Sequence, residues 1–334
     1  MGEFVTARIA VTGRIPSAGM ELLAEAGEVV AWDSLDVATV EQVHALVKGA
    51  DAALTLLTTK VDEAFLDAAG PQLKVVANVA VGFNNIDVAA CARRGVACTN
   101  TPGVLTDATA DIAMALILMS TRRLGEGERV IRGQQPWQWG MFYMLGSGIQ
   151  GNQLGIVGMG DIGQALARRA KAFGMRIAYS NRRPVSPQIE AELGAQFMSM
   201  EELLNTSDVV SLNCPYSPAT HHLMSTAQFE MMRRSAFLVN TARGPIVDEA
   251  ALVSALQSGQ IAGAGLDVFE NEPAVHPGLL GCENAVVIPH LGSATHETRA
   301  AMARLAAHNA VNVLAGVEPP SPIPVPVPVP VPEG

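Results

Sequence analysis

The sequence predicts an α/β fold with two parallel, doubly wound sheets. Two observations carry this prediction. Short apolar runs alternate with helical segments through residues 8–99, which is the order of parallel strands joined by helices. A strand, a glycine-rich turn, a helix and a second strand then follow one another within residues 154–183. The length of 334 residues is enough for two domains with separate cores.

The elements of the first domain follow from its apolar runs. The predicted strands are residues 8–12, 28–32, 52–57, 74–78 and 95–99, and the predicted helices are residues 16–26, 40–48 and 63–69. The turn-rich residues 100–103 are predicted to be the crossover between the domains, and a helix with Thr and Asp in its cap region follows at 106–122.

The loop after the strand 74–78 has the place of a ligand loop, because open α/β sheets bind ligands at the carboxyl ends of their strands. Gly82 would let main-chain amides near Val81 face an anion. An ordinary strand-to-helix turn explains these residues equally well.

Residues 154–183 have the pattern of a dinucleotide-binding unit. Gly158 permits a tight turn, Gly160 lets main-chain amides approach a pyrophosphate, and Gly163 lets the helix pack close to the strand. Asp161 and Ile162 lie at the start of the helix, whose N-terminus attracts phosphate groups. A purely structural glycine turn is the weaker alternative.

The end of the second strand of this unit indicates which dinucleotide is bound. NAD-binding proteins usually carry an acidic residue there for the ribose 2′-hydroxyl. This chain has Ser180 and Asn181 instead, followed by Arg182 and Arg183. Because guanidinium groups suit a 2′-phosphate, we expect NADP(H) to be preferred over NAD(H). A solvated arginine pair is the alternative.

The later strands are predicted at residues 208–213, 237–241, 263–269 and 286–289, followed by a helix at 297–314. The loops after three of them contain Arg243, Glu272 and His290. Carboxyl ends of parallel strands share one edge of a sheet, so we expect a cation, a carboxylate and an imidazole beside the nicotinamide. No metal is predicted, because no group of His, Cys, Asp or Glu has metal-ligand spacing.

Hydride transfer to a 2-oxo acid needs this set of side chains. Arg243 can bind a carboxylate and polarise the adjacent carbonyl. His290 can donate the proton, since histidine has a reference pKa of about 6.5. Glu272 can orient the ring and favour the imidazolium. Taken singly, Arg243 is more readily explained as an ion-pair partner, Glu272 as a surface acid and His290 as a core or cap residue; it is their occurrence together on consecutive strand ends that favours function.

Composition limits the partners. A net charge of −10 without a basic block argues against nucleic acid and anionic membranes. The four cysteines indicate a reduced, cytoplasmic protein. Residues 124–149 hold Trp137, Trp139, Phe142 and Tyr143, which are either a contact arm or pocket wall or ordinary packing. From Pro319 the proline- and valine-rich tail is expected to be solvated and disordered, with no core to join.

Residues 8–317 resemble the D-isomer-specific 2-hydroxyacid dehydrogenase family. The motifs that carry the resemblance are NVAVGFNNID, NTPGVLTDATAD, GIVGMGDIG, NTARGPIVDE, GLDVFENEP and PHLGSAT, in the order and spacing of the family. Within the family, the residues after the second strand are similar to those of NADPH-preferring glyoxylate/hydroxypyruvate reductases. Asp161 departs from the family pattern, in which many members carry arginine.

The resemblance implies a Rossmann cofactor domain inserted in a split, flavodoxin-like substrate domain, and a homodimer. Applied to this chain, the substrate domain covers residues 1–101 and a return helix at 297–318, the cofactor domain covers 102–296, and the tail is 319–334. The implied catalytic residues are Arg243, Glu272 and His290. The implied substrate contacts are Val81, Gly82, Arg243, His290 and Ser293, and further cofactor contacts are Thr109, Cys214, Pro215, Thr241, Ala242, Asp267 and Gly292.

The sequence thus predicts an NADPH-dependent reductase that converts small 2-oxo acids, such as glyoxylate or hydroxypyruvate, to D-2-hydroxy acids. The alternative is a dinucleotide-sensing interaction protein of the corepressor type, built on the same fold. The intact set of Arg243, Glu272 and His290 favours the enzyme.

Overall fold

The computed structural model of the protein describes residues 6–325. Its strands are, in chain order, β1 Ala7–Val11, β2 Gly27–Ala31, β3 Ala52–Thr55, β4 Val75–Asn78, β5 Ala97–Thr99, β6 Gln153–Val157, β7 Arg176–Ser180, β8 Ala195–Phe197, β9 Val209–Leu212, β10 Phe237–Asn240, β11 Gly263–Leu266 and β12 Ala285–Val287. Its α-helices are α1 Ser17–Ala26, α2 Val40–Val47, α3 Glu63–Ala69, α4 Val88–Arg93, α5 Thr106–Thr121, α6 Leu124–Arg132, α7 Asp161–Ala172, α8 Pro187–Leu193, α9 Met200–Thr206, α10 Thr226–Met231, α11 Glu249–Gln257, α12 Pro277–Leu280 and α13 His296–Leu314. Short 3-10 turns occupy Pro218–Thr220 and Gly244–Ile246.

The described chain forms two compact units. The first contains the residues up to Leu105 and those from Thr295 onward, and the second contains Thr106–Ala294. Each unit has its own parallel sheet with helices between the strands, which confirms the predicted fold class. The predicted domain boundaries at 101–102 and 296–297 stay a prediction.

The first unit has a five-stranded sheet in the order β2-β1-β3-β4-β5, which is the flavodoxin-like order. All residues of β3 and β4 are buried, as expected when helices cover both faces of a parallel sheet. Helix α13 packs against α1 so closely that a Cβ atom at Gly19 would lie 2.8 Å from the carbonyl oxygen of Ala303.

The second unit has a seven-stranded sheet in the order β12-β11-β10-β9-β6-β7-β8. Read from β8, the strand order is that of a Rossmann sheet with one further strand at the end. The order reverses between β6 and β9, which pair in parallel. Dinucleotides bind at such a switch point, so the topology places the glycine turn after β6 where a cofactor is expected.

The structure adds one strand and shortens others. The sequence indicated no strand between residues 184 and 207, but β8 lies there; it has three residues at the sheet edge, none of them buried, and so no apolar run marks it. Strands β11 and β12 end at Leu266 and Val287, earlier than predicted. Beyond the strand ends the two segments stay joined, because the N–H of Ile288 donates to Leu266 O at 2.9 Å and the N–H of His290 donates to Asp267 O at 2.9 Å.

The prediction that the chain from Pro319 has no core to join is wrong for residues 321–323. The N–H of Ile323 donates to Cys98 O at 2.8 Å, beside the sheet edge formed by β5, and the Ile323 side chain is buried. Ser321 is also buried; its hydroxyl donates to Asn100 O at 2.7 Å, and its N–H donates to Asn309 Oδ1 at 3.0 Å. Composition alone missed these partners on β5 and α13, while residues 326–334 of the predicted tail lie outside the described residues.

We expect Ile323→Ala to lower the free energy of unfolding by about 2 kcal/mol, because it removes buried methyl and methylene groups. Val325→Ala is the matched control, since Val325 is exposed and its truncation costs about 0.5 kcal/mol or less. Urea unfolding followed by circular dichroism measures both variants. Equal effects of the two would show that the segment contributes no packing.

Candidate functional site

The glycine turn after β6 has the constraints that a dinucleotide fingerprint requires. Gly158 has a φ of 100°, and a Cβ there would lie 2.6 Å from the N atom of Cys214. A Cβ at Gly163 would collide with the carbonyl oxygen of Gly158. A Cβ at Gly160, in contrast, would meet nothing within 4 Å. Gly158 and Gly163 are therefore needed by the fold, and Gly160 keeps the backbone open to a ligand.

The start of α7 fits a pyrophosphate. Gly160 is the residue before the helix and supplies no capping side chain, so the first N–H groups of the helix have no side-chain acceptor. Asp161 is exposed at the first helical position, and Ile162 behind it is half-buried. Free N–H groups and the positive end of the helix dipole suit a phosphate, whereas the carboxylate of Asp161 adds a negative charge close by.

The end of β7 is tied to the glycine turn. The N–H of Gly158 donates to Ser180 O at 3.0 Å, and the N–H of Met159 donates to Asn181 Oδ1 at 2.7 Å. Because a main-chain N–H can only donate, the Asn181 amide must present oxygen to Met159 and direct its NH₂ group elsewhere.

Arg182 and Arg183 follow Asn181 and are exposed. Within residues 6–325, neither guanidinium forms an ion pair or a side-chain hydrogen bond. The end of β7 therefore offers donors and positive charge, which is the chemistry that a 2′-phosphate needs.

Glu272 and His290, which the strand ends were predicted to bring together, are in contact. Glu272 Oε2 lies 2.8 Å from His290 Nδ1, and Glu272 Oε1 accepts the N–H of Phe269 at 2.9 Å. Burial acts to raise the pKa of Glu272, but the hydrogen bonds from His290 and Phe269 and the nearby positive charges outweigh it, so the pKa lies below its ordinary value. Glu272 is therefore ionised at neutral pH and holds the His290 ring through its carboxylate oxygen.

Arg243 lies in the turn after β10. Burial lowers its pKa, and the charge of Glu272 acts in the opposite sense, so the two groups are near enough to influence each other. Arginine keeps its proton under such shifts. Asn240 holds the turn: its amide donates to Arg243 O at 2.9 Å and accepts the N–H of Ala242 at 3.0 Å.

The main chain of His290 is held in a left-handed conformation, with a φ of 53°. Its N–H donates to Asp267 O at 2.9 Å, and the Asp267 carboxylate accepts the N–H groups of Leu291 at 2.5 Å and Gly292 at 2.8 Å. Thr109 donates to Gly292 O at 3.1 Å. Burial raises the pKa of Asp267. Both Asp267 and Thr109 thus support the loop that carries His290, and their contact with a cofactor stays a prediction.

Two buried oxygen atoms at neighbouring strand ends have no partner in the described chain. They are Asn213 Oδ1, after β9, and Thr241 Oγ1, after β10. Buried polar atoms usually have hydrogen bonds, so these two are consistent with a polar ligand at this edge. Cys214 is half-buried, with its pKa raised by burial to about 11, and Pro215 is exposed.

The predicted anion loop lies in the first unit, after β4. The carbonyl groups of Val81 and Gly82 accept side-chain amides of Asn100 and Asn78, at 2.8 and 2.9 Å. Within the described residues, the N–H groups of Val81 and Gly82 donate to no protein acceptor. This arrangement leaves the two amides without a protein acceptor, and their binding of a substrate anion stays a prediction. Ser293 belongs to the second unit, where it is half-buried.

Sequence reasoning missed the side chains that shape these loops. No sequence pattern marks the hydrogen bonds of Asn181 and Asn240, because their partners are main-chain groups. Asn181 binds the N–H of Met159, far along the chain, and Asn240 binds Arg243 O in the neighbouring turn. The pair of His222 and Glu270 was also missed, although a histidine doublet marked the place.

The described residues contain no helix with both the length and the apolarity needed to span a bilayer.

Comparisons with known proteins agree with this geometry. Residues 114–292 match the family model described as D-isomer specific 2-hydroxyacid dehydrogenase, NAD binding domain. A glyoxylate reductase of Thermococcus onnurineus is 45% identical over 319 residues, which are 94% of this chain and 95% of the relative. A crystal structure of a Thermus thermophilus protein has a TM-score of 0.88 at 42% identity and covers 95% of this chain and 99% of its own.

A further solved structure contains a bound cofactor. The NADPH-dependent glyoxylate/hydroxypyruvate reductase of Sinorhizobium meliloti, in complex with NADP and malonate, has a TM-score of 0.82 at 34% identity and covers 95% of this chain and 97% of its own. The present chain therefore belongs to the D-isomer-specific 2-hydroxyacid dehydrogenase family, oxidoreductases that use a nicotinamide dinucleotide.

Proposed function

We propose that this protein reduces small 2-oxo acids of the glyoxylate and hydroxypyruvate type to D-2-hydroxy acids, with NADPH preferred over NADH. The observation that carries the proposal is the contact of 2.8 Å between His290 Nδ1 and Glu272 Oε2. Within residues 6–325 the other ring nitrogen, Nε2, has no protein partner, so it is available to a substrate. The relatives named glyoxylate reductase support the same substrate class.

The chain's residues divide the work of the reaction. When bound, the nicotinamide cofactor would supply the hydride that the carbonyl carbon receives. His290, as the imidazolium, donates the proton from Nε2 to the carbonyl oxygen, and the Glu272 carboxylate stabilises that imidazolium and fixes the ring. Arg243 binds the substrate carboxylate and polarises the carbonyl. The roles of Val81, Gly82 and Ser293 in binding the substrate remain predictions.

The cofactor is proposed to lie on the glycine turn of the second unit. Gly160 and the N-terminus of α7 would hold the pyrophosphate, and Arg182 and Arg183 the 2′-phosphate. The orphaned oxygens of Asn213 and Thr241 offer acceptors at the same sheet edge. Thr109, Cys214, Pro215, Ala242, Asp267 and Gly292 complete the proposed set of cofactor contacts.

The test is steady-state turnover of the purified protein with glyoxylate, hydroxypyruvate and pyruvate, each with NADPH and with NADH. We expect reduction of the first two with NADPH, a higher kcat/KM with NADPH than with NADH, and D-glycerate from hydroxypyruvate by chiral chromatography; glycolate, the product from glyoxylate, is achiral and reports turnover only. Dinucleotide binding without turnover of any 2-oxo acid would contradict the enzyme and favour a dinucleotide-sensing interaction protein. A higher kcat/KM with NADH would contradict only the cofactor proposal.

A homodimer is proposed from the apolar arm, which we define as residues 124–145. None of the residues of α6, at the start of the arm, is buried. The large apolar residues of the arm are exposed, including Trp139 at 75% and Phe142 at 89%. Exposure of this degree in the described chain favours a contact arm over ordinary core packing. An apolar surface of this extent marks an interaction site.

The arm also carries both signs of charge. Glu128 and Arg132 form an ion pair with each other on α6, so their charges do not oppose the approach of a second copy in a twofold dimer. We expect the wild-type protein to sediment as a dimer and the Trp139→Ser/Phe142→Ser variant as a monomer. The Phe173→Ser variant is the control, because Phe173 is exposed outside the arm. A monomeric wild type would contradict the proposal.

A further inference from the structure

A second histidine–carboxylate pair lies beside the first in the same unit. His222 Nε2 is 2.5 Å from Glu270 Oε1, and Glu270 precedes Glu272 by two positions. Both side chains are partly shielded, with 35% and 22% of their surfaces exposed. The proposed reaction gives His222 and Glu270 no part, so the pair needs a separate explanation.

Glu270 is fixed from its other side by Glu249. The N–H of Glu270 donates to Glu249 Oε1 at 2.8 Å, and the N–H of Glu249 donates to Glu270 Oε2 at 3.3 Å. Glu249 is buried, which raises its pKa. Each carboxylate thus accepts the main-chain N–H of the other residue, and Glu270 has a defined partner on both oxygens.

His222 also contacts the turn that carries Arg243. Its N–H donates to Pro245 O at 2.9 Å, and its φ of 48° is left-handed. The turn itself lies directly on the neighbouring loop, because a Cβ at Gly244 would collide with the carbonyl group of Phe269. His222 therefore touches both the Arg243 turn and, through Glu270, the loop of Glu272.

The loop that carries Glu272 connects Glu270 to the pair of Glu272 and His290. Phe269, adjacent to Glu270, donates its N–H to Glu272 Oε1, and Glu272 Oε2 binds His290. A change in the position of Glu270 thus moves the N–H that orients the Glu272 carboxylate.

We propose that His222 is a positioning residue, which acts through Glu270 to hold the Glu272 loop against the Arg243 turn and so aligns Glu272 with His290. The inference rests on the proposed function. It assigns to the pair the alignment of two catalytic side chains that come from different strand ends.

The test uses a substitution that keeps the backbone and removes the ring. Asparagine tolerates the left-handed conformation and retains the N–H that binds Pro245, but its side chain is too short to reach Glu270. We expect His222→Asn to lower kcat by about 10- to 100-fold, because misplacement of catalytic groups slows the chemical step. The KM for the 2-oxo acid and the dissociation constant of NADPH should change little, whereas loss of general folding would alter them together.

Two further variants show whether His222 acts through Glu270. Glu270→Gln alone should lower kcat similarly, and the double variant His222→Asn/Glu270→Gln should be no slower than either single variant, since one contact is lost in all three. His222→Gln, whose longer amide reaches farther, should recover part of the rate. His221→Asn is the matched control. The His221 ring stacks on that of His222, with the ring centroids 4.0 Å apart, and its Nδ1 contacts the Tyr216 hydroxyl, but His221 forms no hydrogen bond with Glu270 in the part of the chain that the structure describes.

The outcomes separate this inference from the proposed function. A wild-type protein that reduces no 2-oxo acid contradicts the proposed function. An active wild type with unchanged kcat in His222→Asn, a change in KM alone, or additive losses in the double variant overturns the positioning role. If thermal unfolding shows that His222→Asn does not fold, Glu270→Gln decides the question, because unchanged kcat in that variant also overturns the inference.

Discussion

His290→Ala is expected to lower kcat for 2-oxo acid reduction by about 100- to 10,000-fold, the contribution typical of a positioned proton donor. The variant loses the only group of the Glu272 pair that can donate a proton to the substrate, since Glu272 is ionised. NADPH binding should be retained, because the glycine turn after β6 and the end of β7 make no contact with the His290 ring. Turnover and NADPH fluorescence titration measure the two properties.

The control for this prediction is His296→Ala. His296 lies six residues after His290 and is exposed at the start of α13, so it is expected to be unimportant for turnover. A variant of His290 with wild-type kcat would remove this residue from the mechanism. Loss of kcat in the His296 variant alone would transfer the proton donor to that residue.

The meeting of the candidate catalytic side chains could be predicted from sequence because topology determines their place. Parallel strands end at one edge of the sheet, so residues that follow β10, β11 and β12 gather there whatever the detailed loop conformations are. This reasoning brought Glu272 and His290 together, and the structure places them in contact. It needed only the positions of the strands and the chemistry of the side chains.

The supporting contacts could not be predicted in this way, because they depend on loop geometry. The carboxylate of Asp267 accepts the main-chain N–H groups of Leu291 and Gly292. Nothing in the sequence position of Asp267 distinguishes this supporting contact from a contact with a cofactor. The return of Ser321 and Ile323 to the sheet edge was hidden by a composition that is typical of solvated chains. Main-chain partners carry no residue identity, so a sequence pattern does not reveal them.

Asn181 is a further case of this kind, and it leads to a sharper cofactor prediction. Because Asn181 Oδ1 accepts the N–H of Met159, the NH₂ group of the Asn181 amide points away from the glycine turn and can donate to a ligand. The side chains of Asn181, Arg182 and Arg183 therefore present donors and positive charge to a ligand at the end of β7. An acidic residue at this place would satisfy Met159 equally well and would offer its second oxygen to a ribose 2′-hydroxyl.

We therefore expect Asn181→Asp to shift the ratio of kcat/KM for NADPH to that for NADH by about 100-fold toward NADH, because a charged hydrogen bond contributes about 1.5–3 kcal/mol and each 1.4 kcal/mol is tenfold. The new carboxylate repels a 2′-phosphate and accepts a 2′-hydroxyl, while the substitution preserves the size of the side chain. Asn205→Asp adds the same charge to an exposed position of α9 and should leave the ratio unchanged. If both variants keep the wild-type ratio, the amide of Asn181 does not contact the 2′ position, and the selectivity for NADP(H) must come from the arginine pair alone.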